Sequence, residues 1–165
     1  MTTRSTPNGV FTIGTSILID APVETVWKVL LDFPSYGEWN PFVRSQTVQD
    51  EWSSQELSVG QHLFLKVHIP PTMDDSAKLQ ESEEIVHLLD HEQHRVEWKF
   101  VPPVPYILSA PRAQWLTVVD GKTKYETVEA FSGPIAYVLK YVMRKNLQVS
   151  FDVMGEALKG RSEQQ

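Results

Sequence analysis

"DAPVETVWKVLLDFPSYGEWNPFV", residues 20–43, decides the reading of the fold. Pro22 suits the first position of a helix, and Glu24 falls where the helix dipole favours a carboxylate. Val23, Val26, Trp27, Leu30 and Leu31 recur at helical spacing, so one stripe is buried. Phe33-Pro34 ends this helix, because proline disfavours a helical residue before it. A second short helical turn, Ser35 to Trp39, stops before Pro41 for the same reason. Just upstream, "VFTIGTSILID" alternates as a strand, with Gly14 expected at a bulge.

Downstream the chain is mostly strand. "PFVRSQTVQD" is a weak one. In "QHLFLKVHI", Leu63, Leu65, Val67 and Ile69 alternate with His62, Phe64, Lys66 and His68, which puts His62 and His68 on an exposed side. "KLQESEEIVHLL" and "HRVEWKFV" flank the polar turn "DHEQ", a hairpin signal, and Val96, Trp98 and Phe100 share one face. Glu83 and Glu84 read as solvated surface, and His91 and His94 as solvated turn residues. The proline-rich stretch 102–111 is a stiff connection, with Tyr106 and Ile107 expected at its lip. "RAQWLTVVDGKTKYETVEAFSG" is a long hairpin around Asp120-Gly121. From Pro134 to Leu158, Leu139, Val142, Met143, Leu147, Phe151, Met154 and Leu158 predict one long amphipathic helix, on which Tyr137 and Tyr141 are expected to pack. The order of elements is that of an α+β protein.

Composition narrows the functions. A chain of 165 residues, 41% hydrophobic and 22% charged, suits one domain with one core. Residues 1–9 read as a frayed tail and 10–163 as the domain. A net charge of −6 with no Lys/Arg run argues against nucleic acid. No cysteine is present, which removes disulfides, thiolate catalysis and Cys-ligated zinc. The N-terminal residues lack a signal-peptide core and no stretch is long enough to cross a bilayer, so a soluble cytoplasmic protein is expected. No phosphate loop, nucleophile elbow or metal signature occurs, so no metal or cofactor is expected.

"ILIDAPVETVWKVLLDFPSYGEWNPFV" resembles the entry signature of the polyketide cyclase/dehydrase branch of the SRPBCC (START-like) superfamily. "RVEWKF", "KYETVEAFSG" and "FDVMGEALKGRSE" agree with it in order and spacing, over residues 10–163. The resemblance implies a helix-grip fold: a curved antiparallel sheet of six to seven strands around a long C-terminal helix, enclosing a hydrophobic cavity. It implies a small hydrophobic ligand or substrate. The activity expected is cofactor-independent cyclisation or dehydration of a polyketide-like secondary metabolite, a lyase or isomerase reaction. A carrier or sensor of a lipid-like ligand and a co-chaperone-like interaction module are the alternatives. The sequence leaves the oligomeric state open, with a homodimer as one option.

The hairpin around Asp120-Gly121 points to the chemistry. A two-residue type I′ loop pairs Arg112 with Glu129, Gln114 with Thr127 and Leu116 with Tyr125. Lys122, Lys124 and Glu126 mark the other face as water-facing, so the Arg112 face is concave. A bidentate Arg112–Glu129 pair is expected there, since buried charges need partners. Glu129 is the candidate general base, Arg112 the stabiliser of an enolate or carboxylate oxygen, and Tyr125 a hydrogen-bond donor. Gln114, Leu116, Thr127 and Phe131 are expected beside them. Leu65, Trp98 and Phe100 would line the cavity from the sheet, Trp39 and Phe42 from the short-helix end, and Leu139 and Met143 from the long helix. A four-residue loop at 91–94 would set His87 opposite Trp98, on the inner face.

Overall fold

The computed structural model describes residues 8–49 and 56–165; of the tail expected at residues 1–9, residues 1–7 lie outside them. Strand β1 (Phe11–Ile19) leads into helix α1 (Val23–Leu31), a 3₁₀ turn (Phe33–Ser35) and α2 (Tyr36–Trp39). Six strands follow: β2 (Val43–Val48), β3 (His62–His68), β4 (Leu79–Asp90), β5 (Arg95–Phe100), β6 (Pro111–Val119) and β7 (Lys122–Phe131). The chain closes with α3 (Pro134–Val142) and α4 (Arg144–Ser162). All seven strands form one curled antiparallel sheet in the order β1-β7-β6-β5-β4-β3-β2, so the chain meanders and its last strand returns beside its first. This is the helix-grip fold. No helix among the described residues is long and apolar enough to cross a membrane.

The opening stretch turns the chain at Asn40. Its carboxamide Oδ1 accepts from the backbone N–H of Phe42 at 3.0 Å and of Val43 at 2.9 Å, an Asx turn that starts β2. Arg44 completes the corner by donating to the Asn40 carbonyl at 2.7 Å and the Gly37 carbonyl at 2.8 Å. Phe42 is thereby aimed inward, 5.8 Å from the ring of Phe151 on α4.

Four local expectations are corrected. Pro22 precedes α1 as its cap, with extended ψ of 145°. Gly14 forms no bulge: β1 pairs with β7 in unbroken register. A Cβ there would meet the Thr127 carbonyl oxygen at 2.6 Å, so the glycine answers a close strand approach. The C-terminal helix is two helices, separated at Met143, whose φ of −124° leaves the helical region. Tyr137 and Tyr141 do not pack inward; both are exposed.

Helix α4 lies across β1 with Leu147, Phe151, Met154 and Leu158 facing the sheet. Gly155 permits the approach, since a Cβ there would stand 3.3 Å from the Thr15 methyl. Beneath α1 and the lower half of α4 the interior is solid, filled by Ile19, Leu30, Tyr36, Leu116 and Tyr125. Trp27 bolts α1 to the β4–β5 turn by donating to His91 Nδ1 at 3.1 Å, and His94 pairs with Glu24 at 2.8 Å. The two turn histidines therefore fasten a helix, beyond the solvated role expected of them.

Candidate functional site: an apolar cavity with two carboxyls and a guanidinium

The other half of the interior is hollow. A cavity of about 230 Å³ opens between the sheet and the start of α4, at the end away from the Asp120-Gly121 turn. Phe42, Leu65, Trp98, Phe100 and Phe131 line it, as expected, and Met143 and Leu147 close it from the helical side. Arg112, Glu129 and Glu84 supply its charged groups.

The β6–β7 register agrees with the sequence reading. Asp120 and Gly121 have φ of 50° and 78°, the left-handed pair of a type I′ turn. Arg112 faces Glu129, Gln114 faces Thr127 and Leu116 faces Tyr125. The expected Arg112–Glu129 ion pair is not made, however. Arg112, only 4% exposed, donates from Nε to Thr127 Oγ1 at 3.2 Å and from Nη2 to Gln114 Oε1 at 3.3 Å. Its guanidinium lies 4.3 Å from the Phe151 ring centre and contacts Met154 Sδ at 3.4 Å. Neighbouring amide, hydroxyl, sulfur and aromatic groups replace the carboxylate that was expected to hold it.

Gln114, Thr127 and Tyr125 accordingly stand behind the cavity wall. Gln114 Oε1 also accepts from the Tyr125 hydroxyl at 2.7 Å, and Thr127 donates to the Ala113 carbonyl at 3.0 Å. They hold Arg112 in place and do not border the hollow. Burial pushes the Tyr125 phenol up, so it is a neutral donor. Leu116 lies in the solid half of the core. Leu139 packs against the core without lining the cavity. Trp39 stacks edge-on with Tyr36 at 5.0 Å and borders an outer hollow with Asp32 and Arg161.

His87 is also displaced. The loop at 91–94 has the expected four residues, with Asp90 opposite Arg95. A bulge between Val86 and Leu88 then drops one residue, so Val86 faces Trp98 and His87 turns outward to Glu97 at 2.9 Å. The slip reverses the faces of everything upstream on β4. Glu83 is the outer carboxylate, bonded to half-buried His62 at 2.6 Å. Glu84 is the inner one, 7% exposed, where solvated surface was expected. His68, expected to be exposed, is 2% exposed beneath the chain at Thr72, whose carbonyl its Nδ1 meets at 2.9 Å. Of the proline-rich lip, Leu108 and Ala110 reach the cavity, whereas Tyr106 stands 95% exposed.

The two inner carboxyls differ in surroundings. Glu84 Oε1 accepts from the Ser82 hydroxyl at 2.6 Å, while Glu84 Oε2 is buried with no hydrogen-bond partner. Burial, reinforced by the Glu129 charge, pushes Glu84 up to about 8, against weaker opposition from Ser82 and Arg112. Burial likewise lifts Glu129 to about 7, with Arg112 opposing. The centre therefore carries a guanidinium cation and two carboxyls that exchange protons near neutrality. Such a group can give and take protons within an apolar enclosure. Among the described residues no three His, Asp or Glu side chains converge as metal ligands.

Solved structures share this architecture. A hypothetical protein, jhp0584, from Helicobacter pylori matches with a TM-score of 0.75 over 98% of this chain and 99% of that one, at 12% identity. A START superfamily protein from Mycobacterium smegmatis matches with 0.67 over 93% and 97%, at 16% identity. The Zhui aromatase/cyclase from Streptomyces sp. R1128 matches with 0.66 over 93% and 94%, also at 16% identity. At such identities the likeness establishes the fold alone. No curated protein matches the sequence. The family model described as polyketide cyclase / dehydrase and lipid transport covers residues 10–163, nearly the full length, and the chain belongs to that family.

Proposed function

We propose that this protein binds a small, largely apolar carbonyl compound in its cavity and catalyses its cofactor-independent cyclisation and dehydration. The observation that carries the reading is Glu84 Oε2, a buried oxygen bordering an apolar hollow and lacking any partner. An unmet polar group at such a position favours a ligand that completes its hydrogen bonding. The volume of about 230 Å³ corresponds to roughly eight waters, at about 30 Å³ each. It suits one or two rings of a polyketide-like or related metabolite, not an extended chain.

The chemistry follows from the two carboxyls. Glu129, as carboxylate, takes a proton from the carbon beside a carbonyl, and Arg112 stabilises the enolate oxygen. The enolate carbon attacks a second carbonyl of the same molecule, forming a C–C bond. Glu84, neutral, protonates the resulting alkoxide. Glu84, now carboxylate, removes a second proton while protonated Glu129 releases the hydroxyl as water. Both carboxyls return to their starting state. Confinement holds the two reacting carbons in a near-attack geometry.

The test is to denature protein purified from its own host, identify any released molecule by mass spectrometry, and offer its open-chain diketone precursor to the protein. Turnover that falls at least a hundredfold in Glu84→Gln and in Glu129→Gln supports the reading. Stoichiometric binding with unchanged release, unaffected by either substitution, would establish instead a carrier or sensor of a lipid-like ligand. The apolar lining favours that second reading.

A further inference from the structure

Helix α3 turns an apolar stripe to the outside. Tyr137, Val138, Tyr141 and Val142 are each more than half exposed, and Tyr141 is 86% exposed. The neighbouring proline-rich loop adds Val104 and Tyr106, also more than half exposed. Backbone bonds join the two segments: Ile135 N–H donates to the Ile107 carbonyl at 3.2 Å. Side chains of this size are normally covered when they occur together.

The charge of this region opposes that of the chain. The protein carries a net charge of −6, yet no Asp or Glu occurs between residues 130 and 151, nor between 101 and 111. Lys140, Arg144 and Lys145 are exposed and surround a shallow hollow beside Tyr141. None of the three has an ion-pair partner among the described residues. Exposed cations beside aromatic and aliphatic side chains, here where α3 passes into α4, are the pattern of an element lying in a lipid headgroup layer. Tyrosine suits that depth, with its ring among the acyl ends and its hydroxyl in the headgroups.

We propose that α3 and the 101–110 loop form a docking face for an anionic lipid bilayer. The location agrees with the interior. Leu108 on the loop, and Met143 and Leu147 immediately after α3, all line the cavity. Docking by this face sets the wall of the apolar cavity against the membrane, where an apolar ligand would be most concentrated. The interaction stands on the surface alone, whatever the cavity holds. A bilayer fits better than an acidic protein because Tyr137, Val138 and Val142 stand out from the helix, and the hollow beside Tyr141 is shallow.

The experiment is co-sedimentation of the full chain with phosphatidylcholine vesicles, with and without phosphatidylglycerol. Binding is expected only with the anionic lipid and should fade as salt rises. Replacing Lys140, Arg144 and Lys145 together by Gln should weaken it on the order of a hundredfold. Tyr141→Ser with Val138→Ser should weaken it while leaving the salt dependence. Because the chain has no cysteine, Tyr141→Cys gives a single labelling site. A polarity-sensitive dye there should shift to the blue on anionic vesicles. Circular dichroism and uptake of an apolar fluorescent probe should be unchanged in every variant. Equal sedimentation with both vesicle types, or no loss in the triple variant, would overturn the proposal. So would a stable dimer in equilibrium centrifugation that Tyr141→Ser dissociates, since the face would then be covered by a second copy.

Discussion

At the residue scale the site turns on where protons reside. Glu84 has an ordinary value of 4.5 and a native value of about 8, so folding favours its neutral form. Its contribution to stability is complete below about pH 4.5 and is lost as pH rises through about 8. Each pH unit between those limits contributes about 1.4 kcal/mol at most. Thermal unfolding followed from about pH 5 to about pH 9 should show stability falling up to about pH 8 and levelling beyond it, with Glu129 adding to the fall up to about pH 7. Glu84→Gln, always neutral, should reduce that slope to the share of Glu129, most clearly between about pH 7 and about pH 8, and raise the melting temperature above that range. A parallel slope in the variant would show that Glu84 titrates normally. Gln114 presents the opposite case, an acceptor shared by two buried donors, Arg112 and Tyr125. Gln114→Leu should destabilise by about 1–3 kcal/mol for each orphaned donor, read in urea unfolding. A loss well below 1 kcal/mol would mean that the guanidinium is held by Thr127 and Phe151 without it.

At the element scale, three features show what the sequence could and could not reveal. The β6–β7 pairing was readable because Asp120-Gly121 admits one turn geometry, and the turn sets every cross-strand pair above it. That paired Arg112 with Glu129, and the charges of Lys122, Lys124 and Glu126 on the opposite face marked theirs as the concave side. The neighbouring hairpin was readable in loop length and not in register, because a bulge at His87 has no compositional mark. Glu83 and Glu84 were both read as solvated, and the slip turns Glu84 inward and hid a carboxyl of the candidate site. Counting back in twos from Val86 would have found it, had Val86 been known to face Trp98. The break at Met143 was invisible because the apolar spacing runs unbroken from Leu139 to Leu147. Since His87 faces outward, His87→Ala should leave probe binding in the cavity unchanged; a severalfold loss in a fluorescence titration would return it to the interior. Gly133 is where strain would appear. It has φ of 94°, and a Cβ would lie 2.8 Å from the Ile107 carbonyl oxygen. Gly133→Ala should cost about 1–3 kcal/mol or more and loosen α3 from the loop, seen as faster amide exchange there.

At the scale of the whole molecule, one interior serves two ends. Under α1 the sheet closes on Tyr36, Tyr125 and Leu158 and is fully packed; beyond Arg112 it stays hollow. The packed half supplies stability, and the hollow half forgoes contacts that a solid core would make. Function and stability should therefore separate on filling the cavity. Ala110 is 3% exposed and lines the hollow, so Ala110→Leu would extend methyl groups into it without displacing a charged group. The added burial favours folding at about 0.8 kcal/mol per methylene, offset in part by any strain of the new rotamer. The expected outcome is a melting temperature equal to or above that of the native chain, with probe affinity reduced at least tenfold. The two readings must be taken on the same sample, because a misfolded variant also loses the probe. A variant that is stabilised and still binds the probe at full affinity would place the ligand elsewhere, and the Glu84 oxygen would then be a buried cost of the fold with no ligand to meet it.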